Sequence, residues 1–91
     1  MITLESRPTR ADCILAQPNA ESLILLNPQD GHYYTLDEVG ARVWELCDGT
    51  RAVADVVSTL HSEYEAPLST IQADVVELLD DLEREKLLAP S

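Results

Sequence analysis

The groups in this chain that can do chemistry are few in kind and scattered. There are two cysteines, Cys13 and Cys47, two histidines, His32 and His61, and 17 Asp plus Glu. Thiols and imidazoles act as nucleophiles, bases or metal ligands when a neighbour sets their charge state or completes a ligand set. No CxxC, HExxH or His cluster occurs, so neither a zinc site nor a Ser-His-Asp or Cys-His arrangement is implied. Cys13 has no His or Lys beside it, and Cys47 falls on an apolar stripe and reads as a small buried hydrophobe. The carboxylates lie on polar helix faces rather than in a recognisable pocket. The residues therefore give catalysis no carrier and call for no metal and no cofactor.

Composition narrows the partners. With 91 residues and a net charge of −11, the chain is one small domain that repels phosphate and an anionic membrane surface. At 45% apolar residues it has too much hydrophobic content for a disordered acidic tail. No stretch approaches the ~20 apolar residues of a membrane span. MITLESRPTR lacks a basic start followed by an apolar run, so no signal peptide is visible, and the cytoplasm is the expected compartment. The two cysteines are then expected to be free.

The elements that must position these groups follow from periodicity. Residues 1–10 mix charge, Pro and Thr and read as a loose arm; residues 11–91 form the single domain. Residues 13–17 read as a strand ended by Pro18-Asn19-Ala20, and Ser22–Leu26 as a second. Asn27-Pro28-Gln29-Asp30-Gly31 is a turn, and residues 32–36 (HYYTL) return as a third strand. Helical spacing then takes over. Leu36, Val39, Gly40, Val43, Trp44 and Cys47 make one stripe, with a capping box at Thr35 and Glu38 and Gly49 as its stop. Val53, Val56, Val57, Leu60 and Tyr64 make a second. Ile71, Val75, Leu78, Leu79 and Leu82 make a third, running to about residue 85 and capped by Ser69 and Gln72. Strands followed by helices predict an α+β fold, a three-stranded antiparallel sheet followed by three helices, winged helix-turn-helix-like.

A winged helix suggests a DNA reader. Its recognition helix would carry Asp74, Glu77, Asp80, Asp81, Glu83 and Glu85 against Arg84 alone, a face that repels the backbone it must dock on; no nucleic acid partner is expected. Three other features can carry function. The His32-Tyr33-Tyr34-Thr35 strand sends adjacent side chains to opposite faces. As an unguarded edge it offers free N–H and C=O groups to another chain, and a proline at Tyr34 would remove one of those donors. The strand Leu23-Ile24-Leu25-Leu26 does not alternate, so its outer face needs a cover: the arm through Ile2 and Leu4, a second copy in a homodimer, or a partner. The row Asp74, Glu77, Asp81 is either a solvated face or an acidic wall beside an apolar groove, suited to a peptide carrying Lys or Arg.

Taken together, Leu25-Leu26-Asn27-Pro28 leading to Gly31 and Tyr34-Thr35-Leu36, then Val39-Gly40-Ala41-Arg42-Val43-Trp44-Glu45-Leu46-Cys47-Asp48-Gly49-Thr50-Arg51, and later Val56-Val57, Leu60, Tyr64 and Asp74-Val75 resemble the PqqD family, the RiPP recognition elements, over residues 13–88. The resemblance implies a non-catalytic protein. It would bind the leader peptide of a ribosomally made precursor and present it to a modifying enzyme, either a cysteine-protease-type leader peptidase or a radical SAM enzyme. Lasso-type maturation is preferred over pyrroloquinoline quinone synthesis on the look of the Gly-His-Tyr-Tyr-Thr-Leu strand. The leader would add to the third strand and lie against the third helix. Carried onto this sequence, the peptide-binding residues are His32, Tyr33, Tyr34, Thr35, Asp74, Val75, Glu77, Leu78, Asp81 and Leu82. The rival readings are a structural, self-associating subunit and a winged-helix regulator.

Overall fold

Strand-forming and helix-forming patterns stay segregated along the chain, and so do the elements. The computed structural model describes residues 2–89. Strands β1 (Leu15–Asn19), β2 (Ser22–Leu26) and β3 (Tyr33–Leu36) form one antiparallel sheet in the order β1-β2-β3. Helices α1 (Glu38–Leu46), α2 (Val53–Glu63) and α3 (Leu68–Arg84) follow.

The register sorts the side chains. Leu15, Leu26 and Tyr33 stand in one row across the sheet, and Gln17, Ile24 and Thr35 in the next row of the same face. The opposite face carries Ala16, Leu25 and Tyr34 in one row and Pro18, Leu23 and Leu36 in the other. Leu25 and Leu36 are buried, so this second face is the one against the helices. Val43, Trp44 and Cys47 of the first stripe are buried, with Leu46 beside them, as are Val53, Val56, Val57 and Leu60 of the second. Ile71, Val75, Leu79 and Leu82 of α3 join the core, together with Ile2, Leu87 and Leu88 from the two ends of the chain. Burial pushes the Cys47 thiol up to about 12, so it is held protonated and inert.

Several boundaries differ from expectation. The first strand lies two residues later than 13–17 and contains Pro18, which was read as a breaker. Pro18 is opposite Leu23, one position from the hairpin-closing pair Asn19 and Ser22. Alternation of bonded and non-bonded pairs turns its ring nitrogen away from β2, the one orientation in which a sheet accepts proline. The third strand begins at Tyr33 rather than His32, whose N–H bonds Asp30 Oδ1 at 2.9 Å. Helix α1 is capped not by Thr35, which is occupied in β3, but by Asp37, whose Oδ1 accepts the Gly40 N–H at 2.7 Å. It ends at Leu46, ahead of Gly49. Ser69 sits inside the first turn of α3, where Pro67 holds the cap position and its carbonyl accepts from Thr70 and Ile71.

The amino-terminal segment expected to be loose is tied down. The Ser6 and Leu4 carbonyls accept the first two N–H groups of α2, from Val53 at 2.8 Å and Ala54 at 3.1 Å, replacing a side-chain cap for donors that a helix start leaves unpaired. Pro8 O accepts from Gly49, and Thr9 O from Ala89. Ile2 is buried, with its N–H on Asp80 Oδ1. The segment therefore runs along the helices and does not cover the outer face of β2.

Asp48-Gly49-Thr50-Arg51, prominent in the sequence, is a joint between α1 and α2. Asp48 accepts the Thr50 N–H at 3.0 Å, the Thr50 hydroxyl at 2.6 Å and Arg51 Nη1 at 2.7 Å. Gly49 has φ +84, and a Cβ there would meet Thr9 Oγ1 at 2.7 Å, so glycine is required twice over.

Candidate functional site: an open sheet edge beside a groove

Two edges of the sheet are exposed to neighbours, and they differ. Asn27 N–H donates to His32 O at 2.9 Å, which makes that pair a bonded one. Alternation then makes Tyr34 a bonded partner of Leu25, and Leu36 of Leu23, with N–H and C=O turned into the sheet. The same groups of Tyr33 and Thr35 turn outward. Among the described residues, nothing pairs with them. On β1 the corresponding outward positions are Ala16 and Pro18, and Pro18 has no N–H to offer. Proline blunts that edge, whereas β3 carries no Pro, Lys or inward charge. This pairing corrects one expectation: a proline at Tyr34 would cut the ladder to β2 rather than the free edge.

Beside β3 lies a groove of about 670 Å³ between β3, α1, the end of α2 and α3, a size typical of ligand sites. Its floor is apolar, from Leu36, Val43, Leu60, Ile71 and Val75; Tyr34, Val39 and Leu78 stand around it. Gly40 also lines it, and a Cβ there would crowd Leu36 Cβ and Asp37 Oδ1, each at 3.2 Å. The charged residues of the lining are Asp37, Glu65 and Asp74.

The expected site residues separate into groups. Tyr34, Thr35, Asp74, Val75 and Leu78 line the groove. Tyr34 is half-buried on the helix side, while Tyr33 is 73% exposed on the outer face. His32 is exposed in the turn. Glu77 and Asp81 line a shallower trough on the outer side of α3, with Ser69, Gln72, Val76 and Arg84. Leu82 does not reach the groove surface: it is fully buried in the core, because it lies on the same stripe as Leu79. The Tyr34 hydroxyl is held above its ordinary pKa, first by burial and then by Asp81 and Glu85, so Tyr34 sits near that end of α3.

Asp37, Val39, Gly40, Glu65 and Thr70 were not expected in the site. The signal available for α1 was Gly40, a residue that weakens a helix interior and so marks a close approach. Val39, exposed beside the buried stripe, was read only as part of it. Among the described residues, no group of three or more His, Cys, Asp or Glu is placed to hold a metal ion, and no helix is long and apolar enough to cross a membrane.

Comparison with known proteins meets this geometry. The family model of Coenzyme PQQ synthesis protein D (PqqD) matches residues 22–88. A "PqqA binding protein" of Xanthomonas axonopodis pv. citri is 38% identical over 89 residues, covering 96% of this chain and 95% of its own length. A second of that name, from Bradyrhizobium diazoefficiens, is 44% identical over 46 residues, covering 50% of this chain and 45% of its own. Among solved structures, "Lasso peptide synthetase B1 complexed with the leader peptide" is similar with a TM-score of 0.80 and 26% identity, covering 93% of this chain and 100% of that one. The solution structure of the PqqD truncation of Methylobacterium extorquens PqqCD, described as a RiPP recognition element, shares the fold with a TM-score of 0.82 at 22% identity, covering 99% of this chain and 96% of that one. The three-stranded sheet followed by three helices is thus a known architecture, and this chain belongs to the PqqD family.

Proposed function

We propose that this protein is a non-catalytic adaptor that binds the leader segment of a ribosomally made precursor peptide and presents it to a modifying enzyme. The observation that carries the reading is the open edge of β3 directly beside an apolar groove. An extended leader adds as a fourth strand, its backbone bonding Tyr33 and Thr35 while alternate side chains drop between Tyr34, Val39 and Leu78. The relatives named for binding PqqA and the similar protein complexed with a leader peptide support this use of the fold. Holding the leader raises the effective concentration of the attached core peptide at the enzyme, a leader peptidase of the cysteine-protease type or a radical SAM enzyme, in the cytoplasm.

The resemblance of the Gly-His-Tyr-Tyr-Thr-Leu sequence leans toward a lasso-type leader, while the relatives of higher identity bear the PqqA name. Calorimetry against both the leader encoded beside this gene and a PqqA peptide tests the proposal. Binding of either in the micromolar range or tighter supports it and names the pathway; no binding of either at high micromolar concentration defeats it.

A second reading has its own observation. The outer sheet face presents Leu15, 58% exposed, and Tyr33, 73% exposed, on either side of Leu26 in one uncharged row. Such a row suits self-association. Sedimentation equilibrium of the protein and of Tyr33→Glu decides it: a dimer lost in the variant favours this reading, and a monomer throughout removes it.

A further inference from the structure

The groove has a chemical polarity that narrows what it accepts. Thr70, Asp74, Leu78, Asp81 and Glu85 follow one another at steps of three and four along α3, so they form a single row. The row is placed by its neighbours: Thr70, Asp74 and Leu78 line the groove, and Asp81 and Glu85 lie near Tyr34. Along the helix, Leu78 thus has Asp74 one turn before it in the groove and Asp81 one turn after it, where α3 turns toward the outer trough. Their states differ. Asp81 is already paired with Arg84 Nη1 at 3.0 Å. Asp74 and Glu65 have no hydrogen-bond or ion-pair partner among the described residues. No Lys, Arg or His lines the groove.

Spacing makes this specific. Four helical residues advance ~6 Å, and two strand residues advance ~6.6 Å. A strand lying along the row thus sets side chains two apart against Leu78 and Asp74 in turn. We infer that the peptide taken by this groove is an extended segment with an apolar residue against Leu78 and a Lys or Arg two positions away, toward Asp74. This rests on the proposed function and adds to it a selectivity written in Asp74. The open edge and the apolar floor make the site; the unpaired carboxylate chooses among peptides that can occupy it.

The test uses a displayed library of random twelve-residue peptides, selected on the full chain, on Asp74→Lys and on Thr35→Pro. Circular dichroism checks that each variant is folded; Asp74 is exposed on its helix, so its substitution is tolerated. The expected consensus places Lys or Arg two positions from an apolar residue. Asp74→Lys is expected to exchange that cation for Asp or Glu. Replacing the cation of the winning peptide with Gln is expected to weaken binding by about two- to five-fold, as for a partly exposed ion pair, with the difference shrinking in high salt. Peptides that need the β3 edge, shown by loss on Thr35→Pro, but carry no such cation overturn this inference and leave the adaptor reading standing. Peptides indifferent to Thr35→Pro, or none at all, overturn both.

Discussion

Tyr34 faces Leu25 directly across β2 and β3, and that pairing decides which backbone groups a guest strand can reach. Because Tyr34 spends its N–H and C=O on Leu25, the outward groups are those of Tyr33 and Thr35. Proline at the two positions should therefore behave oppositely. Thr35→Pro is expected to stay folded and lose leader affinity by at least ~10-fold, the worth of one backbone bond plus the ring's obstruction. Tyr34→Pro is expected to unfold the hairpin. Thermal melts paired with fluorescence polarisation distinguish them, and a Thr35→Pro variant with unchanged affinity moves the docking site elsewhere.

Leu78 is half-buried at the groove while Leu79, its neighbour, is fully buried. Leu78→Ala should cost little in stability but weaken leader binding by on the order of 10-fold, as expected of a central apolar anchor. Leu79→Ala should instead destabilise the fold by ~2–5 kcal/mol. A binding loss at Leu79 without a stability loss contradicts this division.

The amino-terminal segment should be part of the folding unit. Deleting residues 1–10 removes the main-chain bonds of Leu4 and Ser6 to the start of α2, of Pro8 and Arg10 to the joint between α1 and α2, and of Thr9 to the carboxy-terminal end. At ~1 kcal/mol each, that is a large share of the ~5–15 kcal/mol available to a small domain. The truncated chain is expected to melt more than ~15 °C lower or not to fold. A melting curve within a few degrees of the parent refutes this.

Asp48 sets an acid limit on the joint between α1 and α2. The Thr50 hydroxyl and amide, then Arg51, hold its carboxyl down at about 2, against an ordinary 3.8. A lowered pKa means that the contribution is complete above the ordinary value and is lost as pH falls toward 2. Asp48→Asn should flatten the decline in melting temperature over that acid window. A decline as steep as the parent's assigns the acid sensitivity to other carboxylates.

Much of this was legible from the chain because burial is periodic. Val43, Leu60, Ile71 and Leu79 fall on apolar stripes by spacing alone and are all buried, and the strand-to-helix order predicts the fold class. Caps were less legible. Thr35 with Glu38 has the pattern of a capping box, but Thr35 lies extended in β3 and the helix starts only at Glu38, so Asp37 takes the role. Pro18 looked like a breaker because a sequence does not say which strand is at the edge or which way its nitrogens face. For the site, Tyr34 and Leu78 could be named from the strand and the helix separately. Val39, Gly40 and Glu65 could not, since only the packing of α1 and α2 against β3 brings them to the same groove. Leu82 was misplaced for a related reason: an apolar stripe shows which residues leave water, and not whether they leave it for the core or for a groove.

The most direct measurement of the central claim is amide hydrogen exchange at Tyr33 and Thr35, followed by NMR as leader peptide is added. Both amides are expected to exchange freely without peptide and to become protected on binding, while the Tyr34 amide, already bonded to Leu25, is protected throughout. Leader peptide that binds while Tyr33 and Thr35 keep exchanging freely would contradict strand addition at β3.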